Sequence, residues 1–174
     1  MKYKMLFLII LPIFMFGQDN TESKCNCSCS TVLYYKQIKI PLFDGKGKVV
    51  CYIIDDTIKE DYYGIIIKKI DKKRNLAYVY ASATLYDTIP KAGWIETKYL
   101  GVYPSNFSTI NLYFKPSRKS KIKSKIFMPE FFPFHILDCR GDWLYVSYLD
   151  VDKKIKEGWL DPEDQSSNPY STSN

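Results

Sequence analysis

The most reactive side chains in this chain belong to one histidine and five cysteines. His135 precedes Cys139 by four residues, and a thiol with a nearby imidazole could act as a nucleophile with its general base. Both residues fall in an apolar run typical of a β-strand, in which four residues span roughly 13 Å, so these side chains cannot share a hydrogen bond. The sequence contains no second histidine that could replace His135 as the base. It therefore favours a protein that is not an enzyme.

Two other groups of residues could bind a metal ion. Three cysteines alternate with polar residues near the N-terminus, at Cys25, Cys27 and Cys29. Structural zinc sites instead use cysteines separated by two to four residues, with further Cys or His ligands. Acidic pairs such as Asp55-Asp56 lack the spaced oxygen ligands and the glycine of a calcium loop. The sequence predicts no metal site and no cofactor.

The N-terminus has the pattern of a secretory signal peptide. Lys2 and Lys4 precede an apolar run from Met5 to Phe16, which is shorter than the roughly 20 apolar residues of a membrane-spanning helix. Gly17 is a small residue suited to the position before cleavage. We expect residues 1–17 to be removed and the protein to be secreted or periplasmic. The formal charge then falls from +6 to +4, which is a weak attraction to anionic partners and does not indicate a nucleic-acid-binding protein.

Residues 18–35 are polar and rich in cysteine, and we expect them to form a flexible leader. In an oxidising compartment disulfides are permitted. A disulfide within the leader, or from the leader to Cys51, is possible from the sequence. Our prediction is that the leader cysteines oxidise, while Cys51 and Cys139 stay reduced and buried as small hydrophobic residues.

A pattern in the second half of the chain repeats one in the first half. The repeated residues lie 65 to 67 positions apart: Ile70 with Leu137, Tyr78-Val79 with Tyr145-Val146, and Gly93-Trp94 with Gly158-Trp159. A repeat of this period, made of short apolar runs, indicates two copies of one small β unit. Such units are usually binding modules rather than enzymes.

Several motifs in the second copy match a known family. They are Ile110-Asn111-Leu112 followed by Pro116-Ser117, a hairpin pattern from Phe134 to Val146, and the closing Gly158-Trp159-Leu160. Over about 50 residues this pattern resembles bacterial SH3-like (SH3b) domains. The first copy is a degenerate match, since Leu76 stands where the second copy has Trp143. The resemblance implies an all-β protein with two tandem small SH3-like barrels, residues 36–103 and 109–165, and a polar C-terminal tail, residues 166–174.

The resemblance also implies a function. Similar domains accompany cell-wall enzymes, so we expect a non-catalytic binding module of the cell envelope that recognises a cell-wall peptide or polymer. The alternative is a structural or interaction protein that docks on another envelope protein and has no wall ligand. In both cases no nucleic acid is expected as a partner, and no transmembrane span remains after cleavage of the signal peptide.

The expected ligand site lies in the second copy. Residues 115–125 include six basic side chains and no acidic one, and similar barrels project this loop beside their ligand groove. The candidate ligand-binding residues are Lys119, Lys121, Lys123, Trp143 and Tyr145. The lysines would attract anionic envelope polymers; alternatively, they only keep a sheet edge soluble and unpaired. The expected structural core consists of Val79, Trp94, Leu112, Leu137, Val146 and Trp159.

Overall fold

In a computed structural model, thirteen β-strands make up most of the residues that the structure describes. The structure describes residues 26–34, 38–56, 58, 61–83 and 89–168. The predicted signal peptide, residues 1–17, and the first part of the predicted leader lie outside the described residues. Within these described ranges there is no α-helix, and no helix is long and apolar enough to cross a membrane. The all-β class predicted from the sequence is therefore confirmed.

The strands are short, as the sequence of brief apolar runs predicts. In chain order they are β1 (Cys29–Leu33), β2 (Ile40–Phe43), β3 (Val49–Ile53), β4 (Tyr63–Asp71), β5 (Leu76–Ala83), β6 (Lys91–Glu96), β7 (Leu100–Pro104), β8 (Thr109–Tyr113), β9 (Ile122–Phe127), β10 (Phe134–Arg140), β11 (Trp143–Leu149), β12 (Ile155–Leu160) and β13 (Gln165–Ser166). A single turn of 3₁₀ helix follows β6 at Thr97–Tyr99, and another follows β12 at Pro162–Asp164.

The order of strands is repeated, and one strand belongs to both repeats. Neighbouring strands follow the order β3-β2-β6-β5-β4-β1-β7-β10-β11-β12-β8-β9, and β13 also pairs with β7. The first repeat is thus β3-β2-β6-β5-β4-β1-β7, and the second is β9-β8-β12-β11-β10-β7-β13, in the same order. Strand β7 closes the first repeat and opens the second. The strands consequently form one continuous open series, with edges at β3 and β9, rather than two separate sheets.

The strand registers correct one equivalence inferred from the sequence. Ile70 on β4 and Cys139 on β10 occupy the same place in the two repeats. Each lies one residue before the end of its strand, in the last residue pair but one before the hairpin turn. Leu137 is therefore not the counterpart of Ile70. The spacing is misleading because four residues, 72–75, join β4 to β5, whereas only Gly141-Asp142 join β10 to β11. Leu137 lies at a bulge and is half-buried, so it is not a core residue.

One hydrophobic core extends through both repeats. Val79 and Val146, which lie at equivalent positions, are completely buried, as is Leu112 on β8. Every strand but β13 contributes fully or nearly buried apolar side chains to the same cluster, and β3 does so through Ile53 at its end. The core is therefore a shared one, which agrees with a strand that both repeats use.

The two repeated tryptophans lie outside this core cluster. Trp94 is half-buried, and Trp159 is 9% exposed. Because side chains alternate between the two faces of a strand, the neighbours Ile95 and Leu160 fill the core and the indole rings lie on the opposite face. Trp159 is therefore buried as expected, although outside the core cluster, whereas the expectation that Trp94 is a core residue is wrong because its ring is only half-buried.

The predicted leader is partly a structural element. Strand β1 pairs with β4 through its first residues and with β7 through its last, so it lies in the middle of the series of strands. Just before it, Cys27 forms a disulfide with Cys139 on β10. The prediction that Cys139 stays reduced is therefore wrong, and so is the prediction that the leader cysteine Cys29 oxidises, since Cys29 is a free thiol, as is Cys51. The C-terminal tail also begins in the fold, since Ser166 on β13 is fully buried.

Candidate functional site

Four aromatic side chains come together on the outer face of the second repeat. This second aromatic face consists of Tyr113 on β8, Trp143 and Tyr145 on β11, and Trp159 on β12. The rings of Tyr145 and Trp159 meet edge to face, with centroids 5.4 Å apart and planes at 68°. Tyr113 meets Trp143 in the same manner at 5.7 Å and 83°. Edge-to-face pairs of this kind are favourable arrangements of aromatic quadrupoles, so the face is a preformed surface.

The edge strand β9 adds a cation to this face. The Lys123 ammonium lies 5.1 Å from the centre of the Tyr145 ring and donates a hydrogen bond of 2.6 Å to the phenolic oxygen. The Tyr145 hydroxyl in turn points toward Glu157 on β12, at 3.5 Å. Lys123 is exposed. Three of the residues predicted from the sequence, Lys123, Trp143 and Tyr145, are thus brought to one surface.

The other two predicted lysines are placed elsewhere. Lys119 and Lys121 line a shallow groove of about 440 Å³ in the loop between β8 and β9, with Phe114 as an apolar wall. Both lysines are exposed. Lys121 and Lys123 therefore do not act on the same surface, although their alternation along the sequence indicates a shared face. A bulge between β8 and β9 interrupts that alternation.

Arg118 has a structural role that the sequence did not reveal. Its guanidinium forms a two-pronged contact with the Asp161 carboxylate, through Nε and through Nη2, the latter at 2.7 Å. A second ion pair joins Nη2 to Glu163 at 2.7 Å. The guanidinium holds the pKa of Asp161 below its usual value. Arg118 therefore fixes the β8–β9 loop against the end of β12, and its charge is already neutralised.

Leu137 and Tyr145 also border a groove between the two repeats. This inter-repeat groove has a volume of about 260 Å³ and is lined by the residues Ile70, Lys72, Asn75, Thr97, Leu137, Asp138 and Tyr145. Lys72 from the β4–β5 turn forms an ion pair of 2.5 Å with Asp138 on β10 across it. The groove connects the second aromatic face with the β4–β5 turn of the first repeat.

Cys29, Cys139 and His135 have surroundings that suppress their reactivity. Cys139 has no thiol, because its sulfur is bonded to Cys27. Burial raises the pKa of Cys29 to about 12, and its Sγ donates to the Gly141 carbonyl at 3.2 Å. Burial lowers the pKa of His135, so the imidazole is neutral at pH 7. Among the described residues, no three His, Cys, Asp or Glu side chains are grouped so that they could hold a metal ion.

Comparisons of the chain with family models, with characterised proteins and with solved structures give no match.

Proposed function

We propose that this protein is a secreted or periplasmic, non-catalytic binding module of the bacterial cell envelope, whose ligand is a cell-wall polymer or its peptide. The observation that carries the proposal is the exposed ammonium of Lys123 beside the ring of Tyr145, on a face that also holds Trp143. Aromatic faces stack on sugar rings and apolar peptide groups, and a cation over such a ring attracts anionic substituents. The ligand class that fits is an anionic wall polymer.

The chemistry of the site supports binding rather than catalysis. A nucleophile needs an adjacent base or a lowered pKa, and Cys29 has a raised pKa and lies among backbone carbonyls. His135 contacts the ring of Tyr34 edge to face, at 5.1 Å. This contact and its partial burial give His135 a packing role. Oxidation of Cys139 is consistent with a protein of an oxidising compartment.

We further propose that each repeat is a small SH3-like module, as the motifs of the second copy suggest. The repeated strand order supports two equivalent units, and the sharing of β7 explains how two such units can be joined without a linker. In this proposal the ligand face of the second module is the second aromatic face, and Lys119 and Lys121 border its approach through the neighbouring groove.

Co-sedimentation of the mature protein with purified bacterial cell wall tests the function. We expect wild-type protein to sediment with the wall, and the bound fraction to fall as ionic strength rises, because exposed charges are screened within about 10 Å at 0.1 M salt. Lys123→Gln and Trp143→Ala should each reduce the bound fraction. Lys46→Gln, which removes an equally exposed lysine from the β2–β3 turn, is the matched control and should bind normally. No sedimentation of wild-type protein, or equal binding by all variants, would contradict the proposal.

The alternative, docking on another envelope protein, is favoured by a different surface. One end of the second repeat exposes six large apolar side chains, with exposed fractions of 62 to 75%: Phe127, Met128, Phe132, Leu149, Val151 and Ile155. A hydrogen bond of 3.2 Å from the Glu130 amide to the Tyr148 hydroxyl joins the β9–β10 loop to the end of β11. Exposed apolar clusters commonly mark interaction sites.

Substitutions on the two surfaces distinguish the two functions, because each function predicts that a different kind of binding is lost. If the protein docks on an envelope protein, Phe132→Ser with Val151→Ser should abolish cross-linking to that protein in isolated envelopes, and Lys123→Gln should leave the cross-link intact. If the wall polymer is the ligand, the same double substitution should leave co-sedimentation with purified wall unchanged.

A further inference from the structure

The first repeat contains an aromatic pair that matches the one in the second repeat. Tyr78 and Trp94 meet edge to face, with ring centres 5.5 Å apart and planes at 63°. The corresponding values for Tyr145 and Trp159 are 5.4 Å and 68°. The strand registers make the two pairs equivalent, because Tyr78 on β5 lies opposite Trp94 on β6, as Tyr145 on β11 lies opposite Trp159 on β12.

Cations surround this first pair as well. The Lys69 ammonium lies 4.9 Å from the Trp94 ring centre and 5.7 Å from that of Tyr78. The Arg74 guanidinium lies over Trp94 at 4.8 Å. Lys68 lies 5.5 Å from the ring of Tyr80, which meets Tyr78 edge to face. The first repeat thus places more positive charge on its aromatic rings than the second repeat does.

The charges on this face are not equally available to a ligand. Arg74 is paired with Asp71, through Nε and Oδ2 at 2.8 Å. Lys69 is exposed, and no carboxylate in the described part of the chain lies within ion-pair distance of its ammonium. Lys69 therefore resembles Lys123, which is also an exposed ammonium over an edge-to-face aromatic pair. The sequence pattern did not indicate Lys69 as a ligand-binding residue, because Lys69 lies on β4 and not in the basic segment 115–125.

We propose that Lys69, Tyr78 and Trp94 form a second subsite for the same anionic wall polymer, so that one molecule binds one polymer chain at two points. This inference depends on the function proposed above and adds a second subsite to it. Each subsite offers an aromatic edge-to-face pair and one exposed ammonium that forms no ion pair with a carboxylate of the described residues. The ligand units that fit both are sugar rings that carry carboxylate or phosphate.

The fold holds the two subsites at a fixed separation. The repeats share β7, and the Lys72–Asp138 ion pair joins the β4–β5 turn to β10 across the inter-repeat groove. Tyr145, and Asn75, which follows Arg74 in the sequence, both line that groove. A rigid connection makes binding at the second subsite intramolecular and raises affinity for long chains without new contacts.

Titration calorimetry with wall fragments tests this inference. The probes are soluble glycan fragments released from purified cell wall by muramidase and separated into short and long chains. Wild-type protein should bind two short fragments per molecule. Lys69→Gln should leave one, Lys123→Gln should leave the other, and the double variant should bind none. The control Lys46→Gln should keep two.

The length of the glycan fragments provides a second, independent test of the two subsites. We expect long fragments to bind wild-type protein about 100-fold more tightly than short ones, because a linked second site adds avidity of this order. Lys69→Gln should remove that advantage while its affinity for short fragments stays that of a single site. Lys69→Gln changes only an exposed side chain, so loss of folding does not confuse the result; circular dichroism of each variant checks this.

The second subsite and the proposed function would be contradicted by different results. A stoichiometry of one short fragment in wild-type protein, with binding lost in Lys123→Gln and unchanged in Lys69→Gln, would overturn the second subsite and leave the proposed function intact. Absence of binding to both the fragments and the intact wall would overturn the function and the subsite together.

Discussion

Cys27 and Cys139 are joined by a disulfide across 112 residues of sequence, with their Cα atoms 5.8 Å apart. The bond attaches the segment before β1 to the second repeat, while β1 itself pairs with β4 of the first repeat. A parallel bridge between Cys27 and Gly141 lies beside the bond. The N-terminal segment therefore holds the two repeats together, both covalently and through backbone hydrogen bonds.

We predict that loss of this disulfide destabilises the whole protein. The bond closes a loop of more than a hundred residues, and native disulfides typically contribute about 2 to 5 kcal/mol to the free energy of unfolding. Cys27→Ser with Cys139→Ser should lower the free energy of unfolding by about that amount, as measured by urea denaturation. Dithiothreitol should lower the stability of wild-type protein in the same way and leave the double variant unchanged. A wild-type protein that is insensitive to reductant would contradict this prediction. Cys51→Ser, which removes a free thiol, is the matched control.

The second prediction concerns the thiol of Cys29. With a pKa of about 12, roughly one molecule in ten thousand carries the thiolate at pH 8, and the thiolate is the reactive form. The sulfur is also buried. We expect iodoacetamide to modify Cys29 of the native protein far more slowly than the half-buried Cys51, as measured by mass spectrometry of peptides. In urea the two rates should become similar. Rapid native modification of Cys29 would show that this thiol is accessible.

The sequence was a good guide to the strands and a poor guide to the N-terminal segment. Alternating apolar residues and short turns predicted the all-β class, because these signals act within a few residues. Strand β1 has the polar sequence Cys29-Ser30-Thr31 at its start, which is typical of a loop. It can occupy a central position because Thr31, fully buried, donates its hydroxyl hydrogen to the Ile65 carbonyl at 3.2 Å. Only the partner strand makes this hydrogen bond possible, and the partner is distant in sequence.

Part of the candidate site could also have been inferred more fully from the sequence. Gly158 faces the core, so Trp159 next to it must face outward. Leu160, on the other side of Trp159, is fully buried, so the alternation of the strand turns the indole ring away from the core. The pairing of Arg118 with Asp161 was not predictable, since 43 residues separate them and any of six basic side chains in the loop could have taken that place.

The third prediction tests the close approach at Gly158. A Cβ atom at this position would lie 2.7 Å from the Leu112 Cβ and 3.1 Å from the Tyr113 carbonyl oxygen. Because β8 would have to move away from β12, Gly158→Ala should lower the free energy of unfolding by about 1 to 3 kcal/mol. Gly45→Ala is the control, since a Cβ there meets no atom within 4 Å, and it should change stability by less than about 0.5 kcal/mol. Urea denaturation measures both. Equal stabilities for the two variants would mean that β8 is free to shift.

The last prediction concerns the pH dependence of the Arg118–Asp161 pair. The guanidinium lowers the pKa of Asp161 in the folded protein, whereas in the unfolded chain this pKa returns to about 3.9. The pair therefore stabilises the fold fully at pH values above the unfolded pKa, and this contribution is lost as the pH falls through the lower, folded value. Asp161→Asn removes the titrating group and should be less stable than wild type at pH 7.

The difference between wild type and Asp161→Asn should then shrink as the pH falls below 4, because protonated Asp161 no longer pairs with Arg118 as a carboxylate. Asp164 lies nearby, and its burial raises its pKa, so its own contribution runs in the opposite direction. The part of this shift that comes from burial is present in both proteins and cancels in the difference, whereas the smaller part that comes from the charge of Asp161 is lost in Asp161→Asn. Urea denaturation of both proteins from pH 7 to pH 2 measures this difference, with Asp142→Asn in the exposed β10–β11 turn as the control. A difference that stays constant over this range would show that the ion pair with Arg118 is not the source of the stability that the Asp161 carboxylate contributes.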